Sequence, residues 1–411
     1  MQKQIFYIII LFFNVGLFAQ TSNKGVLSVS ENTTFSIVEG FDNLSSGKFY
    51  NDGDTFVYSD LNNDGVLDFY ENTGITRFIG SSTQNITGTE VSYLYNVVFN
   101  NSSSADPFHV SGEINISGIS DFNQGIVDND NYGGEITFNI NGNHINTSDI
   151  SYVDGFVNKL GDQEFMFPIG DQGHYRLAGI SAPDDSNDFF RTKYYFENSN
   201  DLYSHDLKAE NIREIDPLEY WDVHNLTDSP EGLMTFSWRE YSMTGGLMEA
   251  VENNELTIVR WDESSNMWID EGGVIDFENQ TITTDVSGYG IFTFARLEGE
   301  RELPCALVVY NYVSPNGDGK NDFFFIDKTS DECNLSLTVQ VFNRWGVKVY
   351  ETNDYGENGN VFDGRSSGRL TVKDSDKLPA STYFYVVKYK DSDDVDSQSY
   401  KQSGFLYLTD N

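Results

Sequence analysis

Apolar and polar residues alternate along most of this 411-residue chain. Ile136, Phe138 and Ile140 fall on one side of such a run, and Thr137 and Asn139 on the other. Leu337, Val339 and Val341 repeat the pattern, as do Tyr383, Tyr385 and Val387. A period of two, broken by Gly, Asn and Asp, predicts short strands joined by tight turns. No segment of a dozen residues shows a helical period. Gly outnumbers Pro by 36 to 8, which favours turns over stiff linkers. The expected fold class is all-β.

The pattern divides the chain. Residues 21–150 are loosely repetitive: in "FDNLSSGKFYNDGDTFVYSDLNNDGVLDF" an apolar pair, an Asn/Asp-Gly turn and another pair recur. That predicts a β-helix-like stack or an elongated sandwich. Residues 151–302 have longer strands, among them "LTIVRWDESSNMWIDEGG" and "GYGIFTFAR", with the spacing of a β-sandwich. Trp221, Trp238, Trp261 and Trp268 are expected in its core and rim, with a sugar-stacking platform as the sharper alternative. The charged run Leu297 to Pro304 reads as a connector. Residues 303–411 read as one further compact, Ig-like sandwich.

Residues 1–20 read as a secretory signal peptide: Lys3, the apolar run Ile5 to Phe13, then Gly16-Leu17-Phe18-Ala19 before a cut after Ala19 or Gln20. The run is short for a membrane span, and no later stretch approaches ~18 uninterrupted apolar residues. Two cysteines, Cys305 and Cys333, are the whole complement. In an exported chain they would form a disulfide closing a loop of roughly 30 residues, worth about 3 kcal/mol; two unpaired thiols is the alternative.

Charge adds an exclusion. There are 25 Lys and Arg against 64 Asp and Glu, a net of −39. Nucleic acid is excluded as the main partner, because Lys and Arg carry phosphate binding. An anionic membrane surface is disfavoured for the same reason. From Leu303 onward the net is only −5, so the remainder carries −34 and the tail stands apart.

The tail holds the most specific motif. "SPNGDGKND" comprises Ser314, Pro315, Asn316, Gly317, Asp318, Gly319, Lys320, Asn321 and Asp322. Gly supplies positive φ and Asn and Asp bond their own backbone, so this is a tight loop before a strand. "FNRWG" follows, with Asn343, Arg344, Trp345 and Gly346 as the turn between two strands. "LPASTYFYVVKY" and a last strand from Gly404 to Leu408 complete the tail. Together these resemble the gliding-motility-associated C-terminal domain, the type B sorting domain of the Bacteroidetes type IX secretion system, over the last quarter of the chain. Three positions depart from the family: Phe362 replaces the Trp of a "WDG" turn, Ser381 replaces the Gly of "LPxGTYFY", and Thr409-Asp410-Asn411 replaces a basic finish.

The resemblance implies a route. The signal peptide would deliver the chain across the inner membrane, and the type IX translocon would read this domain and carry it across the outer one. Retention on the cell surface with a PorP/SprF-like outer-membrane partner is also implied. "VDGFVNKLGDQEFMFPIGD" and "GIFTFA" are similar to stretches that recur in large Bacteroidetes surface proteins, which names no activity.

There is no HExxH, P-loop or CxxC in the chain, and the five His have no ligand spacing. One constellation is sharp. Asp60, Asn62, Asp64, Gly65, Val66, Asp68 and Glu71 match the twelve-residue calcium loop, with Val66 offering its carbonyl and Glu71 two oxygens. The flanks read as strands rather than helices, so an Asn/Asp-Gly turn with solvated carboxylates is the alternative. Asn316, Asp318, Asn321 and Asp322 raise the same pair of readings. Calcium is the one cofactor these residues suggest.

Two functions follow. The first is a non-catalytic exported surface protein, an adhesin or extracellular matrix component with a link to gliding motility. The second is a secreted protein that binds surface glycans or degrades polysaccharide and carries the same tail.

Overall fold

The computed structural model describes residues 21–104, 107–183, 185–227, 232–298, 306–329, 334–344, 346–366, 377–391 and 400–409. The expected signal peptide, Cys305, Cys333 and Trp345 lie outside the described residues. Strands dominate, as the alternation predicts. The longest described helix, Gly245–Glu252, has eight residues and is capped by Thr244, whose hydroxyl accepts from the Leu247 amide. No helix among the described residues is long and apolar enough to cross a membrane.

The N-terminal region is a β-solenoid. Its first rung is β1 (Thr21–Asn23), β2 (Val26–Val29) and β3 (Thr34–Ile37). The second is β4 (Phe41–Asn43), β5 (Lys48–Asn51) and β6 (Asp54–Val57). The third is β7 (Leu61–Asn63), β8 (Val66–Asp68) and β9 (Ile75–Gly80). Each strand pairs in parallel with its counterpart one rung on, so three parallel sheets run along the stack. The step varies. Thr21 lies beside Phe41 and Phe41 beside Leu61, 20 residues on each time, but Leu61 lies beside Ile86, 25 residues on. The extra residues go into corners, which is why the repeat is irregular in sequence.

Period two places one column of side chains inside and the next outside. Leu27, Phe49 and Leu67 stack on successive rungs of the second sheet. Val57, Phe78, Phe99 and Phe122 do so in the third. The Phe78 and Phe99 rings stack with centroids 5.7 Å apart. Burying one such ring contributes about 2–3 kcal/mol over leaving it exposed.

Corners are harder, because they bury backbone groups that no sheet ladder satisfies. Asn side chains fill that role. Asn23 donates to Asn43 Oδ1 at 2.9 Å, and buried Asn43 donates to Asn63 Oδ1 at 2.8 Å. Asn63 in turn donates to the carbonyls of Glu90 and Val91. The next position above Asn63 is Gly88, at φ +141°, where a Cβ would lie 2.1 Å from the Asn63 carbonyl oxygen. The ladder therefore passes from Asn to Gly where the chain leaves no room for a side chain.

Parallel stacking continues past residue 150, through Val153–Asp154 to Ile169–Asp171. The second sheet does not end there. Its strand Val157–Leu160 pairs antiparallel with Phe189–Tyr195, and the same sheet runs on through Tyr220–Asn225, Gly290–Leu297, Leu256–Asp262 and Met267–Gly272. A five-stranded sheet contains Phe165–Met166, Ala178–Ile180, Leu233–Ser237, Thr281–Asp285 and Val274–Asp276. One continuous core extends from Val29 through Trp221, Phe236 and Ile282 to Phe294. The solenoid and the antiparallel sheets thus share this interior, a second apolar cluster around Val259, Trp261 and Trp268 packs apart from it, and the change of pattern near 151 falls inside the stack. All four tryptophans of this region are buried, Trp221 and Trp268 completely.

The ladder has a measurable consequence. Asn63→Ala removes the donor for two carbonyls and the acceptor for Asn43. The expected cost is about 2–3 kcal/mol of unfolding free energy, read as a lower urea midpoint for the first transition. An unchanged midpoint would show that the ladder is ornamental to stability.

Candidate functional site

The twelve residues of the calcium reading run strand, corner, strand. Asp60 precedes β7, Asn62 lies in it, Asp64 is at the corner, and Val66 and Asp68 belong to β8 on another sheet. Five of the six already engage an oxygen in a hydrogen bond. Asp60 Oδ1 accepts from the Asn85 amide at 2.7 Å, Asn62 Oδ1 from Thr87, and Asp64 Oδ1 from the Thr89 amide and hydroxyl. Asn62 Nδ2 donates to Asp64 Oδ2, and this bond, followed by those from Thr89, holds the Asp64 carboxyl below its ordinary range. The Val66 carbonyl accepts from Asn43, and Asp68 Oδ1 from the Phe69 amide. Glu71 enters through its amide, which donates to Asp52. Five of the six residues thus bond to neighbouring rungs, and Asp68 to the next amide along the chain. Among the described residues no group of three or more His, Cys, Asp or Glu is placed to hold a metal ion.

A column of acids that sequence reading missed lies further along the first sheet. Asp128 and Asp154 are register partners on adjacent rungs. Asp130 is held by Lys193 at 2.5 Å. Burial, then Asp171, Asp128 and Asp130, push the Asp154 carboxyl up to about 7, against the pull of Lys193. Such a column arises whenever the rung spacing aligns two outward Asp residues, and only the register could have revealed it.

The C-terminal unit is built on two sheets. Leu307–Tyr310 pairs with Phe325–Lys328. The other sheet has the order Tyr312–Val313, Tyr400–Leu408, Ser381–Asp391, Leu335–Phe342, Lys348–Thr352. It has its own core, including Val313, Phe324, Val339, Phe362, Val387 and Leu406. Phe362, which stands where the family has Trp, is fully buried, with its ring 5.4 Å from that of Tyr350. The departure is thus absorbed as a core aromatic. Tyr355 ties this core to the loop: its hydroxyl donates to the Phe324 carbonyl and accepts from the Phe362 amide.

The first motif folds as a loop closed by one carboxylate. Asp322 Oδ1 accepts from the Gly317 amide at 2.7 Å, and its Oδ2 accepts from the Gly319 amide at 2.8 Å. Gly317 and Gly319 have φ near +80°, a region that L side chains rarely adopt, and Asn321 has φ 52°. Asn316 Oδ1 accepts from the Asp318 amide, and Asp318 Oδ1 from that of Lys320. Ser314 closes the base by donating its amide to the Asn321 carbonyl. Of Asn316, Asp318, Asn321 and Asp322, the last is the carboxylate that gathers two backbone N–H groups. In the second motif, Asn343 accepts from the Gly346 amide through its carbonyl and from the Val347 amide through Oδ1. Arg344 lies near Glu164, whose carboxyl is raised by burial and lowered by that guanidinium.

The unit also rests on the body. Leu233 joins Phe342, Phe384 and Val386 in a small apolar cluster. Lys388 pairs with the buried Asp285 carboxylate at 2.8 Å, and Lys401 donates to the Asp285 carbonyl and Thr284. Neither lysine carries a motif that sequence reading could have used.

Residues 307–408 match the CHU_C type IX secretion signal domain. This stretch is the C-terminal sorting domain of the chain, and it marks the protein for export out of the cell by the type IX secretion system. No curated protein and no solved structure matches the chain.

Two outcomes follow from these geometries. Asp322→Ala should cost the Gly317 and Gly319 amides their protection while leaving Val339 and Val387 protected, as read by hydrogen exchange; equal protection in both proteins would refute the closed loop. Asp154 has a raised folded-state pKa, so its ionisation opposes folding increasingly as pH climbs from about 4 to about 7. Asp154→Asn should therefore raise stability by about 1–2 kcal/mol at pH 8, a figure discounted for the partial exposure of the group, and change it little at pH 4. Denaturation at the two pH values checks the sign.

Proposed function

We propose that this chain is a non-catalytic surface protein, an adhesin or extracellular matrix component with a link to gliding motility, whose solenoid body is displayed by its sorting domain. The observation that carries this reading is the sorting domain itself: the matched stretch has its own apolar core and its own closed loop. A sorting domain reports a route and not an activity, so the body must supply the rest. There the ladder of Asn side chains and the hydrogen-bonded outward carboxylates support a scaffold that presents area rather than a cleft that makes bonds.

The same reading takes Met1–Gln20 as a removed leader, Cys305–Cys333 as a disulfide, and the type IX translocon with a PorP/SprF-like outer-membrane protein as partners. It takes the sheets of residues 157–298 and 307–408 as sandwiches, the latter Ig-like. Surface glycans are the ligand class of the second reading, a polysaccharide-binding or polysaccharide-degrading protein. One observation favours it: the exposed Tyr70 ring stacks on Tyr50 with centroids 4.2 Å apart.

Deleting Val309 to Asn411 should leave the body folded in the periplasm and abolish surface display, as measured by protease shaving and fractionation of whole cells. Surface display of the deletion would overturn the route. Turnover of any polysaccharide by the exported protein would overturn the non-catalytic reading.

A further inference from the structure

The two ends of the solenoid are unlike. At its C-terminal end the second sheet runs on into antiparallel strands, so the last rung is covered. At its N-terminal end β1, β2 and β3 are the terminal strands of all three sheets. Among the described residues, their inward side chains have a rung on one side only. Leu27 and Phe35 are accordingly half-buried, whereas Phe49 and Leu67 above Leu27 are fully buried. Asn23, Gly25 and Val29 give their carbonyls to the second rung, through the amides of Leu44, Lys48 and Asp52. In a parallel ladder the alternate backbone groups point the other way, which here is off the end of the stack.

Natural edges are guarded by charge, proline or a bulge. These three strands read Thr-Ser-Asn, Val-Leu-Ser-Val and Thr-Phe-Ser-Ile, without a charged residue or a proline, in a chain of net charge −39. Charge sits only at the corners of this rung: Lys24 before β2, Glu31 after it, and Glu39 after β3. Lys24 and Glu31 are both exposed and flank β2 symmetrically.

We infer that the first rung is a self-association surface on which a second copy of this chain docks head to head. The two-fold axis passes through β2. β2 then pairs antiparallel with its own copy, β1 pairs with β3 of the partner, and Leu27 meets its counterpart across the axis. The same rotation exchanges the two corners beside β2, so Lys24 of each chain falls opposite Ser30 of the other, with the exposed Glu31 next to it within reach of the long lysine side chain. A symmetric interface must be self-complementary in this way. An otherwise repelling, strongly acidic molecule is neutral enough for contact at this end. The inference rests on the reading of Met1–Gln20 as a removed leader, which bares β1.

The test uses the exported chain beginning at Thr21, with light scattering and sedimentation across a concentration series. A two-chain mass that dissociates on dilution is expected. Lys24→Glu alone and Glu31→Lys alone should each weaken the dimer about tenfold, since each turns two symmetric attractions into repulsions. The double reversal should restore it, which a merely structural effect would not do. Ser28→Lys, at the exposed centre of β2, should abolish it, and at dilutions where both proteins are single chains should leave the melting temperature unchanged. A single-chain mass at every concentration would overturn the inference and leave the edge to another strand. A dimer indifferent to all four variants would overturn it too, by placing the contact elsewhere. The N-terminal residue of surface-displayed protein, read by mass spectrometry, tests the leader separately.

Discussion

A parallel stack satisfies its backbone along one direction only, so the structure depends on every rung meeting the next in register. The sheets manage this through their ladders, but the corners cannot. There the polar groups are buried between rungs and must be met by side chains of fixed reach. Asn is the residue that both donates and accepts within a single amide, so one Asn per rung can take a bond from below and give one above. The Asn23–Asn43–Asn63 run is that device. Its substitution by Gly88 shows the same constraint from the other side, since no side chain fits over the Asn63 carbonyl.

The core follows from this registration. Once the corners are held, inward columns of Leu, Val and Phe face their own kind one rung away, and rings such as Phe78 and Phe99 stack at regular spacing. The antiparallel sheets of residues 189–297 extend the same interior and add a second apolar cluster around Val259, Trp261 and Trp268. The sorting domain is different. Its buried residues form a separate cluster, and it meets the body through a small apolar patch and two lysines at Asp285. Lys401 is held below its ordinary pKa by burial, with Glu271 and Asp285 opposing. A unit so arranged can hold its own fold while its seat on the body is made of few interactions.

Strands and turns were legible because alternation is local, and the sorting domain was legible because its motif is a closed loop in which Gly supplies positive φ and Asn and Asp bond nearby amides. The stack was half legible. Asn recurs at 23, 43 and 63, but a jump of 25 residues after Leu61 breaks the period, and a variable corner looks like noise in a linear string. The calcium-like pattern has a related origin. Asp60, Asn62 and Asp64 alternate because they lie on the outward face of one strand and its corner, and period two on a strand imitates the alternate ligands of a loop. The flanking strands were the discriminating signal. The shared core across residue 151 was not legible, because continuity of a sheet depends on pairing between distant segments.

Charge distribution then acquires a structural meaning. Most of the net −39 lies upstream of Leu303, on a body whose outward faces are the sides of a stack. Repulsion between such sides keeps molecules apart laterally and discourages the edge-to-edge pairing that parallel sheets invite. It cannot do so at a rung whose three strands are uncharged. An acidic solenoid with a neutral end is therefore directional: its flanks oppose contact and its end permits it. For a chain that the type IX route carries out of the cell, that asymmetry places association at the tip of the body, away from the domain that the secretion system reads.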